Sequence, residues 1–150
     1  MSAEVDIQVA SKENKLPADE DFMHWTEAAL ENKDAGIVIR IVDEDESRQL
    51  NREYRGRDKP TNVLSFPFEA PPEVPSTHLG DLVICAPVVA EESLRQGKPL
   101  LHHWAHMVVH GILHLRGYDH LEAKDAQRME ALERKLLQDM GIPDPYGETA

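Results

Sequence analysis

The stretch of this chain best equipped for chemistry is His110-Gly111-Ile112-Leu113-His114-Leu115-Arg116-Gly117-Tyr118-Asp119-His120. His110 and His114 are four residues apart, so on a helix their rings share one face a turn apart, a spacing at which two imidazoles can grip one metal ion. A third donor one turn further would be carried along the axis and away from that ion. The chain must turn back, and Gly117 can take the positive φ found just past a helix end. His120 then supplies the third nitrogen. Three histidines leave a tetrahedral Zn²⁺ one open position, as in catalytic sites, whereas structural zinc has four protein ligands.

The alternative is a helix whose histidines cap, pack or face water. A bare H-x3-H is a weak signal in a chain with eight histidines, and the full H-x3-H-x2-G-x2-H spacing is a stronger one. Zinc proteases of this spacing carry a glutamate general base after the first histidine, where this chain has Gly111. That argues against peptide hydrolysis by the usual route. His102–His106 and His106–His110 are also four apart, but only His110–His114 is followed by a glycine and a histidine placed to close the site. His106 is therefore read as packed or near the site, and His102 and His103 as surface residues.

A second block agrees with the first. Tyr54-Arg55-Gly56-Arg57-Asp58-Lys59-Pro60-Thr61-Asn62-Val63-Leu64-Ser65-Phe66-Pro67, followed by Leu79-Gly80-Asp81-Leu82, precedes the histidine segment. Together they resemble the YbeY family of bacterial metal-dependent endoribonucleases, which act in ribosomal RNA maturation. The likeness spans roughly residues 5 to 140. It implies a compact α+β fold and a single-strand-type endoribonuclease acting on the 3′ end of 16S ribosomal RNA and in ribosome quality control. It also implies the small ribosomal subunit and its assembly factors as partners, and a functional role for Arg55. On its own terms Arg55 sits at a helix end, where its guanidinium either satisfies terminal carbonyls or points into a metal cleft as a bidentate phosphate clamp. Arg57 and Lys59 are candidate RNA contacts, with plain solvated cations as the alternative.

Composition bounds these readings. A chain of 150 residues, 41% hydrophobic and 29% charged, is expected to form one domain, with its core between about residues 5 and 140. No run approaches a membrane span and the N-terminal residues lack signal-peptide character, so a cytoplasmic location is expected. The lone Cys85, in an apolar run, reads as a buried reduced thiol. A net charge of -12 opposes non-specific coating of nucleic acid. Between Ser47 and Pro60, however, five basic residues face two acidic ones, a local excess of +3 that could focus a polyanion or simply be a solvated helix end.

The elements that must position these residues follow from periodicity. Alternation at Val5, Ile7 and Val9 predicts a strand, and the stripe Phe22, Trp25, Ala29, Leu30 a helix over about 18–32. The β-branched run from Gly36 to Val42 predicts a strand, and the following segment a helix ending near Gly56. Val63 to Phe66 and Leu79 to Cys85 read as strands, joined by a proline-rich loop from Glu69 to His78. Pro87 opens a helix ending at Gly97, Pro99 precedes the long apolar helix Leu100 to Leu115, and a last helix covers about 122–140. That last helix is read with Met129, Leu132, Leu136, Leu137 and Met140 on one face, charges on the other, and a frayed tail from Asp144. The sum is an α+β (α/β) domain in which helices cover a small mixed sheet and the metal helix is buried against it. Strand order is not given.

The chemistry expected is metal-assisted hydrolysis of an RNA phosphodiester, with Zn²⁺ on His110, His114 and His120 and with Arg55 on the phosphate. Asp119 is expected to fix a ligand ring or cap the next helix, and Asp81 to bond nearby backbone or orient a histidine; both are candidates, with water, for the leaving oxygen's proton. Nickel, copper and iron also suit imidazole donors. Two other classes stay open: a ribosome-associated binding factor with a structural metal, and a metal hydrolase of peptides or small molecules.

Overall fold

A computed structural model describes residues 3–31, 33–69, 73, 76–119 and 121–146. His120 and the prolines 71, 72 and 75 of the expected loop lie outside the described residues. The elements run β1 (Glu4–Ala10), α1 (Asp19–Leu30), β2 (Gly36–Val42), α2 (Glu44–Arg55), β3 (Val63–Pro67), β4 (His78–Cys85), α3 (Ala86–Gln96), α4 (Leu100–Leu115) and α5 (Ala123–Asp139). Strand β4 thus starts at His78, inside the expected loop. Its first residues stay paired because Gly36 of β2 lies opposite His78.

The four strands form one mixed sheet in the order β1-β2-β4-β3. β1, β2 and β4 are parallel, and β3 joins the edge antiparallel to β4, with Ser65 opposite Leu82. The alternation of β2 separates the two faces. Ile37, Ile39 and Ile41 pack into the main core with Leu82 and Ile84, whereas Arg40 reaches Glu46 of α2. A smaller cluster of Val42, Leu64, Val83 and Cys85 takes Leu50 of α2 against it. Burial pushes the Cys85 thiol pKa up, as a packed and unreactive thiol requires.

Helix α4 is apolar almost all round, the pattern of a helix with neighbours on every side. It packs against α1, α3, α5, β3 and β4. Its closest approach to the sheet is at Gly111. A methyl group there would stand 2.7 Å from Leu82 Cδ2 and 3.3 Å from Ser65 Oγ, and Ser65 Oγ donates to the Gly111 carbonyl at 3.1 Å. Position 111 therefore faces the sheet. A glutamate there would be driven into β4 and could not act as a base in solvent, which gives Gly111 a packing reason.

Among the described residues, no helix is long and apolar enough to cross a membrane. Of the tail expected to fray, residues 147–150 lie outside the described residues, and residues 144–146 are anchored. Asp144 pairs with Arg134, Lys98 donates to the Pro145 carbonyl at 3.0 Å, and the Tyr146 hydroxyl reaches Glu133.

Candidate metal centre

The C-terminal half of α4 carries His110 and, in its last turn, His114. Past Leu115 the chain reverses at Gly117, which has φ of +100°, a conformation a side chain would strain. Tyr118 then donates its N–H to the Leu113 carbonyl, and its own carbonyl accepts the Nδ1–H of His114 at 3.0 Å. The turn thus orients the His114 ring.

His110 is held from the other side. Its Nδ1 lies 3.0 Å from Glu133 Oε1 of α5, while His106 Nε2 and the Tyr146 hydroxyl each lie 2.8 Å from Oε2. Glu133 is completely buried, which alone would raise its pKa, but the hydrogen bonds from His106 and His110 outweigh burial and hold it at about 2. An ionised carboxylate only accepts, so His110 carries its proton on Nδ1. The Tyr118 carbonyl imposes the same tautomer on His114. Both rings thereby direct an Nε2 lone pair towards the same space, and the two Nε2 atoms are 3.1 Å apart. Two nitrogens about 2.0–2.1 Å from one tetrahedral ion would stand about 3.3 Å apart, so the pair fits a shared cation.

A second donor set overlaps the first. His106, His110 and Glu133 have ligand atoms within 4.8 Å of one another and could hold a metal ion. In the Glu133 set His106 and Glu133 are buried and His110 is half-buried, with hydrogen bonds joining both rings to the carboxylate; the residues of the Nε2 pair line a cleft. Burial also pushes the His106 pKa down, favouring the neutral ring.

That cleft has a volume of about 800 Å³ and brings together Tyr54, Arg55, Ser65, His110, His114 and Asp119. Arg55 ends α2 with its side chain exposed, and no ion-pair partner for it is present among the described residues. The loop after α2 is tied down by two buried side chains: Ser47 Oγ donates to the Thr61 carbonyl at 3.0 Å, and Asn51 Nδ2 to that of Lys59 at 2.8 Å. Asn62, also lining the cleft, is fixed by Glu92, which in turn binds His103 Nε2 at 2.8 Å.

Several placements differ from expectation. His103 is 2% exposed and not on the surface, because α3 covers that turn of α4 and supplies Glu92; His102 is half-buried. The carboxylate of Asp81 takes His78 Nε2 at 2.9 Å, and among the described residues no hydrogen bond links it to His110 or His114. Asp119 accepts the Leu121 N–H at 3.2 Å and is not the cap of α5, which is Glu122, three residues on. Arg57 and Lys59 are exposed and do not line the cleft. The reading that puts the charges of α5 on its outer face does not single out Glu133, which sits four residues after Met129 and three before Leu136, on the apolar stripe itself. A lone carboxylate on that stripe was the readable sign of a buried partner.

Fold and cleft define a mixed-sheet α+β protein whose central buried helix offers paired imidazoles beside an arginine. The family model of endoribonuclease YbeY matches residues 6–141, and the chain belongs to that family. The solution structure of TM1509 from Thermotoga maritima is similar over 96% of this chain and 99% of that one, with a TM-score of 0.58 and 26% sequence identity.

Proposed function

We propose that this protein is a zinc-dependent endoribonuclease of ribosomal RNA maturation, acting on unpaired RNA such as the 3′ end of 16S ribosomal RNA and in ribosome quality control. The ion is assigned to the Nε2 atoms of His110 and His114, with His120 as third donor. The observation that carries this reading is the cleft that gathers Arg55 with both imidazoles in an otherwise acidic chain.

A zinc ion held there would lower the pKa of a bound water towards roughly 7, which would make a nucleophile available at neutral pH without a glutamate at position 111. The residues of this chain do the rest. Glu133 and the Tyr118 carbonyl fix the two rings in the tautomer a metal needs, the outer support that such sites use. Arg55 binds the scissile phosphate and stabilises the charge that grows on it in the transition state. Of the two carboxylates considered for the leaving oxygen, Asp119 lines the cleft and is the one assigned.

Arg57 and Lys59 extend the positive surface beside the cleft and are assigned to flanking phosphates. The small ribosomal subunit and its assembly factors are the proposed partners, in the cytoplasm. The test is cleavage of a ribosomal RNA fragment by the intact protein, its chelated form and Arg55→Ala. Chelation is expected to abolish cleavage with the fold retained, and Arg55→Ala to slow it on the order of 10²-fold. Unfolding on chelation would favour a structural metal in a binding factor, and undiminished cleavage by Arg55→Ala would remove the phosphate role.

A further inference from the structure

Tyr54 is an anomaly on the surface of this protein. It occupies the last turn of α2, directly before Arg55, and its side chain is 66% exposed although it is a large aromatic residue. The ring is nevertheless held in place. It packs edge-on against Phe66 of β3, with centroids 5.0 Å apart and planes at 72°, and both residues line the cleft that contains His110 and His114. An aromatic ring held in place by a T-shaped contact and still two-thirds exposed offers surface on which another flat group can stack.

The surroundings narrow what that group is. Arg55, Arg57 and Lys59 are exposed within five residues of Tyr54. Of the two acidic residues in that span, Asp58 is engaged by Arg48 at 2.8 Å and by Arg52 at 3.8 Å, and Glu53 accepts from Gln49 Nε2 at 3.2 Å. The end of α2 and the loop after it thus combine an exposed aromatic ring with cations inside a chain of net charge -12. A base attached to a phosphate backbone satisfies both features: its π face meets the ring, and its phosphates meet the cations. Duplex RNA keeps its bases stacked on one another, so the match is to an unpaired nucleotide.

We infer that Tyr54, braced by Phe66, is a stacking surface for an unpaired nucleobase flanking the phosphate held at Arg55, a subsite that selects single-stranded RNA. This rests on the endoribonuclease reading above and adds the residue that recognises the base. The ring is the active feature, and the hydroxyl is dispensable.

The experiment uses the metal-loaded protein and a short single-stranded RNA with one cleavage site, together with versions in which one nucleotide at a time is abasic. Tyr54→Ala is expected to raise KM by roughly 5- to 100-fold, and Tyr54→Phe to restore it. One abasic position beside the cleavage site should weaken the wild type by a similar factor and leave Tyr54→Ala unaffected, the coupling expected of two groups in contact. Phe68→Ala removes an aromatic side chain that is 49% exposed and outside the cleft, and it should change neither constant. The inference is overturned if Tyr54→Ala cleaves like wild type, if Tyr54→Phe is as impaired as Tyr54→Ala, or if every abasic position affects wild type and Tyr54→Ala alike. A wild type that holds its ion yet neither binds nor cleaves RNA would overturn the endoribonuclease reading itself, and the stacking subsite with it.

Discussion

The Nε2 atoms of His110 and His114 stand 3.1 Å apart, while the Nδ1 atom of each ring lies 3.0 Å from an oxygen that can only accept, Glu133 Oε1 and the Tyr118 carbonyl. Two acceptor lone pairs directed at one another are repulsive unless positive charge lies between them. The surrounding hydrogen bonds thereby prepare both rings for a cation before it arrives.

Glu133→Gln keeps the shape of the buried side chain but removes its charge. It is expected to weaken metal binding by about 10- to 100-fold, measured by competition with a chromophoric chelator. Breaking the buried network with His106, His110 and Tyr146 is expected to cost about 3–5 kcal/mol in urea unfolding. Unchanged metal affinity in a folded variant would mean that the carboxylate does not set the His110 ring.

Gly111→Ala tests the contact between α4 and the sheet. The added methyl would sit 2.7 Å from Leu82 Cδ2, so overpacking of about 1–3 kcal/mol is expected in thermal or urea unfolding. A variant as stable as wild type would show that α4 can move off β4 without cost.

The pH dependence of stability is expected to have a component from Glu92. Burial pushes its pKa up, but hydrogen bonds from His103 and Asn62 outweigh burial and lower it below its ordinary 4.5. The folded state therefore holds that proton more weakly than the unfolded chain. The stabilisation is complete above about pH 4.5 and is lost as the pH falls through the lowered folded pKa. Glu92→Gln should cost about 1.5–3 kcal/mol at pH 7 and flatten the decline below pH 4.5, as read from urea midpoints. Parallel curves for variant and wild type would refute this assignment.

Much of the scaffold was legible because its signals are local. Pro99, the apolar run and the turn at Gly117 delimit α4, and the β-branched run delimits β2. The order β1-β2-β4-β3 was not legible, since periodicity assigns a residue to a face but does not name the neighbouring strand. His103 was misplaced for a similar reason: whether a histidine on α4 is buried depends on α3, which supplies Glu92 from 11 residues away. Glu133 left a trace in the stripe of α5, but its partners lie 23 and 27 residues back on another helix. The anchoring of Tyr146 depends on the same buried carboxylate, so it could not be seen before Glu133 was placed.

The most direct test of the metal assignment is elemental analysis of His114→Ala beside wild type, with RNA cleavage measured on the same preparations. The wild type should carry about one zinc per chain, and His114→Ala should lose the ion and the cleavage together. A His114→Ala protein that keeps its full complement of metal would contradict the assignment, because the ion would then rest on His106, His110 and Glu133.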